Sequence, residues 1–332
     1  MTSAKPNATS AIAKMRWKLL SSVIVKQASY SRENPDHENN EKLGAARETA
    51  IRFPKYGLVE ITDEEDDEEE DLQWCRVKSR DERFKFDFRV RPLFFTLFFL
   101  DRVISLTTIF QVCLLRPDFS ARDLIGFNNT GNVCVWPAEE CMTMYCLENR
   151  GDIFNARKKV IELGGGMTCL AALILAKTIP HLDSVLVTDG NEASVDNLRS
   201  ILGKNEDLGD RVSAEILRWS KSLRPDLRAA FDVVLCADCL FFDEFRLPLR
   251  DCIAALLKPT GVAVVMAPKR GKTYADFVSK VKDKFAVVTE DARYSERIWG
   301  RRQELTNDKR FSEDIHYPVL LTLAQPRLTS QL

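Results

Sequence analysis

From about residue 117 onward, short apolar runs alternate with longer stretches whose apolar positions recur at helical spacing. The runs predict strands at about 160–163, 184–188, 211–217, 232–237, 261–267, 285–289 and 318–324. Helices are expected between most of them, at about 167–178, 192–202, 245–257 and 273–284. A further helix should run from Pro137 to Glu148, with Pro in its first turn and Gly151 just past its end. Strand alternating with helix implies a mostly parallel, doubly wound α/β sheet covered on both faces. No internal repeat interrupts the series.

Upstream the pattern is less regular. Trp17, Leu20 and Ile24 fall on one helical face between about Ile12 and Lys26, with Lys14, Lys18 and Lys26 around them. That is a basic amphipathic helix, for a calmodulin-like groove, a membrane surface or the cap of a larger domain. Residues 1–32 hold no acid, a composition also shared by organelle transit peptides. Residues 33–72 carry few large apolar side chains and read as a disordered acidic linker. Phe84, Phe86 and Phe88 alternate with Lys85, Asp87 and Arg89, which is a strand signature. The segment from Pro92 to Leu115 is apolar over a length that suits a membrane span. Asp101 and Arg102 near its middle oppose that, at about 2.5–3.5 kcal/mol each. The preferred readings are an atypical insertion or translated non-coding sequence, then a buried element, then a span. The expected organisation is therefore a basic helix region (1–32), the linker (33–72), an accessory strand region with the apolar insertion (73–116) and a main domain (117–326).

Charge and cysteine content narrow the setting. Net charge is −1, yet Glu60 to Asp71 holds ten acids and no base, so the rest of the chain carries +9. A basic body attracts acidic partners through its field; the run itself is explained as well by keeping a linker solvated. Nine cysteines lie at no framework spacing, which points to a reducing compartment, cytoplasm or nucleus. The Asn7 and Asn128 glycosylation patterns are then idle. Cys236 and Cys239 form a lone C-x-x-C, and three histidines offer little to complete a zinc site, so no metal is expected.

The chemistry centres on Val160 to Ala171. A buried strand ends at Glu162-Leu163, three glycines follow, and a helical run begins. Glycines at such a turn let a ligand approach the backbone, and ligands of open α/β sheets bind beyond the strand ends. A plain turn remains the bland alternative. Gly164 and Gly166 fit two positions of the dinucleotide fingerprint, but Cys169 stands at the third. Glu162 with Gly164 and Gly166 forms E-x-G-x-G instead. The next strand ends at Asp189, 23 residues beyond Gly166, near the interval of a ribose-binding acid. The third strand ends at Leu217-Arg218-Trp219, where Trp219 either stacks on a base or fills core. The fourth ends at Asp238, followed by Phe241. A carboxylate there needs a partner, either a ligand ammonium or the start of the helix near Glu244.

E-x-G-x-G with Asp189 resembles the class I, seven-β-strand S-adenosylmethionine methyltransferases. Asp238-Cys-Leu-Phe241 is similar to the D-x-x-Y/F motif of protein lysine methyltransferases of that fold. Gly131 to Glu140, around Trp136, resembles their tryptophan segment, and His316-Tyr317-Pro318 and Arg16 to Leu20 add to the likeness. The resemblance covers about 117–325 well and 14–28 plausibly, and fails across 33–115. It implies a Rossmann-like methyltransferase sheet whose last strand is inserted antiparallel, and S-adenosylmethionine as cofactor. Trp136, Glu162, Gly164, Gly166, Asp189, Trp219 and Asp238 would bind the cofactor, and Asp238 and Phe241 would serve the transfer. The implied partner is calmodulin, as a protein substrate methylated on lysine, with no nucleic acid and no stable membrane insertion. Three rivals stand beside it: a methyltransferase for another protein or a small molecule, a non-catalytic calmodulin-binding scaffold, and a nicotinamide dehydrogenase, which Cys169 disfavours.

Overall fold

In the computed structural model, residues 56–63, 75–79, 87–90, 135–220 and 222–327 are described. In chain order their elements are β1 (Val59–Asp63), β2 (Cys75–Ser79), β3 (Asp87–Val90), α1 (Pro137–Glu148), α2 (Arg150–Ile153), β4 (Lys159–Glu162), α3 (Leu170–Thr178), β5 (Ser184–Asp189) and α4 (Glu192–Lys204). There follow β6 (Val212–Ile216), β7 (Phe231–Ala237), α5 (Asp243–Leu256), β8 (Leu257–Pro268), α6 (Thr273–Val281), β9 (Phe285–Asp291), α7 (Glu296–Leu305), α8 (Glu313–His316) and β10 (Pro318–Pro326).

The large sheet has seven strands in the order β6-β5-β4-β7-β8-β10-β9. β4 to β8 pair in parallel, and β10 is inserted antiparallel between β8 and β9. Strand order reverses between β4 and β7, so the topological switch point lies at their carboxyl ends. Period-2 alternation sends neighbouring side chains to opposite faces. Val160, Val233, Leu235, Val264 and Met266 join one core with α1, α3 and α4. Ile161, Val234, Cys236, Ala263 and Val265 join a second core with α5 and α6. This double burial is why the strands read as continuous apolar runs.

Two sequence expectations change. The helix expected from Met167 starts only at Leu170, because Cys169 is left-handed (φ 39°) and breaks the turn before it. The linker expected over 33–72 contains β1, which pairs antiparallel with β2, and β2 pairs with β3. The ladder sets Glu60 opposite Lys78 and Thr62 opposite Arg76. Just before β1, Tyr56 and Leu58 are buried in the first core. The Leu58 N–H donates to Glu140 Oε2 at 3.0 Å, and Arg301 Nε donates to the Tyr56 carbonyl at 2.8 Å. The amphipathic helix, the acidic residues after Asp63 and the Pro92–Leu115 segment lie outside the described residues, as do Phe84, Lys85 and Phe86 of the expected alternating strand. Among the described residues no helix is long and apolar enough to cross a membrane.

Candidate active site

The glycine turn sits at the switch point. Gly164 and Gly166 both have φ 61°, the left-handed region where a Cβ is strained. At Gly164 a Cβ would stand 2.8 Å from the Trp219 ring and 2.9 Å from Cys239 Sγ. Close packing against these side chains therefore requires glycine here, beyond the demand of the turn itself. At Gly165 a Cβ would stand 2.9 Å from the Cys169 Cα, so the turn and the entry to α3 fit together only without a side chain.

Asp189, at the end of β5, faces this turn. Its Oδ2 accepts from the Gly166 N–H at 2.9 Å and its Oδ1 from the Asn191 N–H at 2.8 Å. Burial pushes its carboxyl pKa up, and the N–H groups of Asn191, Gly166 and Gly190 oppose that. A carboxylate has about four lone-pair sites, so each oxygen keeps capacity to accept from a ligand hydroxyl. The Thr188 hydroxyl donates to the Glu162 carbonyl at 2.6 Å, and the Gly165 N–H to the Thr188 carbonyl at 3.2 Å. These bonds fix the acid against the turn.

Glu162 is placed differently. It is wholly buried, and its Oε2 accepts from the Ala172 N–H at 2.7 Å in the first turn of α3. Its Oε1 has no hydrogen-bond partner among the described residues. Glu139 reaches the same helix end from α1, accepting from the Thr168 hydroxyl and, at 3.0 Å, from the Leu170 N–H. Two carboxyl groups thus satisfy N–H groups that the start of a helix leaves open. Desolvation pushes both carboxyl groups up, Glu162 to about 8 with the repulsion of Glu139 added, and Glu139 to about 7 with that of Glu140. Glu139 escaped the sequence reading of the site, although it stands three residues after Trp136 in the quoted tryptophan segment. Trp136 itself is half-buried at the N-cap of α1, where its carbonyl accepts from the Glu139 and Glu140 N–H groups.

Across the switch point, Asp238 follows β7 in a left-handed conformation (φ 56°). Its partner is Arg270, just past the end of β8: Nη1 donates to Oδ1 and Nη2 to Oδ2, the latter at 2.7 Å. The burial of Asp238 is thus compensated within the chain, by neither of the two partners its sequence position suggested. Arg270 also lies over the Phe241 ring, with Cζ 5.3 Å from its centroid. Phe241 meets Phe242 edge-on at 5.0 Å, Phe242 meets Phe245 at 6.4 Å, and Phe245 meets Trp219 at 6.5 Å. An aromatic wall therefore links the β7 loop to the glycine turn. Cys239 Sγ closes the link, 3.4 Å from the Leu163 carbonyl. Cys236 and Cys239 are both buried, free thiols.

A reversed-order seven-stranded sheet with a glycine turn and a facing acid at its switch point defines a doubly wound α/β protein that takes a ligand at that point. Residues 123–284 match the model of a family described as "Lysine methyltransferase". The chain is 30% identical over 230 residues to calmodulin-lysine N-methyltransferase of Arabidopsis thaliana, covering 66% of this chain and 74% of that protein. The chain belongs to the lysine methyltransferase family. Among solved structures it is similar to a TehB-like methyltransferase from Corynebacterium glutamicum, at 14% identity, TM-score 0.38 and coverage of 53% of this chain and 87% of that one. It is also similar to phosphoethanolamine N-methyltransferase 2 of Haemonchus contortus, at 15% identity, TM-score 0.42 and 61% coverage of each chain. The enzyme is an S-adenosylmethionine-dependent methyltransferase. The spare acceptor capacity of Asp189 beside a backbone turn suits the cofactor's ribose.

Proposed function

We propose that this chain transfers methyl groups from S-adenosylmethionine to the side-chain amine of a lysine in calmodulin. The observation that supports this substrate is the shared sequence with the Arabidopsis calmodulin-lysine N-methyltransferase, which runs over 74% of that protein. The geometry supports the reaction, because one switch point carries both an acid-and-glycine cradle and an aromatic, charge-compensated wall.

S-adenosylmethionine supplies an electrophilic methyl on a sulfonium sulfur. In this reading the Gly164–Gly166 turn lies against its methionine and ribose parts, Asp189 takes the ribose hydroxyls, and Trp219 borders the adenine. Glu162 and Glu139 act one step back, by anchoring the start of α3 and so the shape of the turn. Trp136 acts from α1, through the helix that carries Glu139. Asp238 and Phe241 meet the lysine. The region 117–326 is then the catalytic domain, with the segments before it accessory.

A free lysine has a pKa near 10.4, so its neutral form lies about 4–5 kcal/mol uphill at neutral pH. Burial against Phe241 and its aromatic neighbours lowers that pKa by desolvating the ammonium. Alignment with the methyl group supplies much of the rest. Asp238 and Phe241 would hold the neutral amine with its lone pair toward the methyl that the bound cofactor would supply, and the methylated product ammonium would lose its proton to water.

Two measurements test the reading. S-adenosylhomocysteine should bind in a calorimeter while nicotinamide dinucleotide does not. Asp238→Ala and Phe241→Ala should lower kcat for calmodulin methylation, and Phe241→Ala should leave that binding within a few-fold. Binding of the dinucleotide, or unchanged kcat in both variants, contradicts it. Methyl transfer to other proteins but never to calmodulin would keep the site and replace the substrate.

A further inference from the structure

Arg270 is the member of this site that no motif in the sequence points to, yet its geometry ties it to the transfer. Its guanidinium engages both Asp238 oxygens, and the two side chains are only 14% and 9% exposed. Its backbone is left-handed (φ 41°), as is that of Asp238. Such conformations persist in residues with a Cβ only where the surroundings hold them. Here the Asp238 N–H donates to the Met266 carbonyl at 2.8 Å, and the Arg270 N–H donates to the Asp314 carbonyl at 2.7 Å. The Gly271 N–H then donates to the Asp314 carboxylate at 2.9 Å. Two adjacent strand ends are thus held so that fork and carboxylate meet under the Phe241 ring.

We propose, on the reading of this site as a lysine methyltransferase centre, that Arg270 is a positioning residue that neutralises Asp238, so that the incoming lysine reacts as an amine instead of being held as an ammonium ion. A bare buried carboxylate near the lysine favours its charged form, by about 1–3 in pKa at contact distances. That is the wrong direction for a nucleophile. A guanidinium on both oxygens cancels the field, and the remaining lone pairs can still orient an N–H of the amine. Lysine in place of Arg270 is a point charge without the fork.

The other charged and titratable groups around the pair leave this balance to Arg270: Arg246, on α5, donates to the Leu240 carbonyl at 2.9 Å and is itself paired with Asp243 at 2.6 Å and Asp276 at 3.6 Å. His316, on α8, is kept neutral because burial and the Arg270 charge bring its pKa down to about 4. The Cys239 thiol is held well above its ordinary pKa by the Cys236 hydrogen bond and burial. Asp189 and Asp314 are bound to backbone N–H groups. Lys269 and Lys272, in the same loop, are exposed.

The test uses the full chain, S-adenosylmethionine and calmodulin, and measures the single-turnover rate of transfer against pH. Arg270→Met should slow transfer at neutral pH about tenfold or more and move the rise of the profile up by about one pH unit or more. Arg270→Lys should move it by less, and S-adenosylhomocysteine affinity should stay within a few-fold in both. Adding Asp238→Asn to Arg270→Met should return the profile toward that of the wild type, though the rate stays low. Single variants that are slow but keep the wild-type profile show a merely structural role and overturn the inference. If Arg270→Met does not fold, the Arg270→Lys profile decides in the same way. A wild-type enzyme that methylates no protein overturns the reading of the site itself, a result distinct from an unmoved profile.

Discussion

At the scale of single residues, three positions carry most of what can be tested. Asp189 holds the glycine turn through Gly166 and keeps acceptor capacity for a ligand. A hydrogen bond to a charged group contributes about 1.5–3 kcal/mol. Asp189→Ala should therefore weaken S-adenosylhomocysteine binding roughly ten- to hundredfold, read by calorimetry, while circular dichroism shows a folded protein. Gly164→Ala sets a Cβ against Trp219 and Cys239 at a left-handed backbone position. It should lower both thermal stability and cofactor affinity, and a variant with wild-type Tm would contradict the packing described. Glu162 gives a pH signature. Its carboxyl rises from 4.5 to about 8 on folding, so the folded state keeps a proton that the unfolded chain has lost. Its contribution is fully present below about pH 4.5 and is lost as pH rises toward about 8, with a slope up to about 1.4 kcal/mol per pH unit for one proton. Glu139, pushed up to about 7, adds in the same direction. Urea melts of the wild type between pH 5 and 8 should show falling stability, and Glu162→Gln should flatten that fall. The glycines, Asp189 and Asp238 were legible because strand ends and spacing mark them. Glu139 and Arg270 were not, because they come to the site from α1 and from the end of β8, and no local pattern relates residue 139 to 170 or 238 to 270.

At the scale of elements, the series from β4 to β10 was legible because strands buried on both faces read as plain apolar runs. Pro137–Glu148 was bounded at its start by its proline, whereas Gly151, expected just past its end, lies inside α2 and Asn149 caps the helix instead. α7 escaped because half of its residues are charged and it carries Gly300 inside. It is held instead by Ser295, which accepts from the Ile298 N–H at 3.2 Å, and by Arg302 over the Trp299 ring at 4.3 Å. β1 was hidden because its acidic composition reads as linker and its ladder partner, β2, comes later in the chain. α3 shows how an apolar helix is anchored at both ends. Buried carboxyl groups meet its N-terminus, and Arg211 donates to the Ala176 carbonyl at 2.6 Å and the Ile179 carbonyl at 3.2 Å at the other. The Arg211 contact suits the helix dipole. Arg211→Ala should destabilise the fold by about 1–3 kcal/mol. Its distance from the glycine turn should leave S-adenosylhomocysteine affinity unchanged, which separates support of the helix from cofactor binding.

At the scale of the whole molecule, the separation of charge bears on the substrate. The ten acids between Glu60 and Asp71 leave a basic remainder, which favours encounter with an acidic protein such as calmodulin. Raising salt from 0.1 M to 1 M shortens the Debye length from about 10 Å to about 3 Å. It should lower kcat/KM more than kcat, because encounter is screened and chemistry is not. Equal effects on both would remove steering from the account and leave the site intact. The central claim, that the switch-point site places a cofactor methyl on a calmodulin lysine, is tested most directly by mass spectrometry of unmodified calmodulin. The sample is taken after incubation with S-adenosylmethionine and either the wild-type chain or Asp189→Ala, at cofactor concentrations near the wild-type Kd. The account predicts methylated lysine with the wild type and a roughly ten- to hundredfold slower appearance with the variant. Calmodulin that stays unmethylated with a folded, cofactor-binding wild type, or that is methylated equally fast by both, would contradict it.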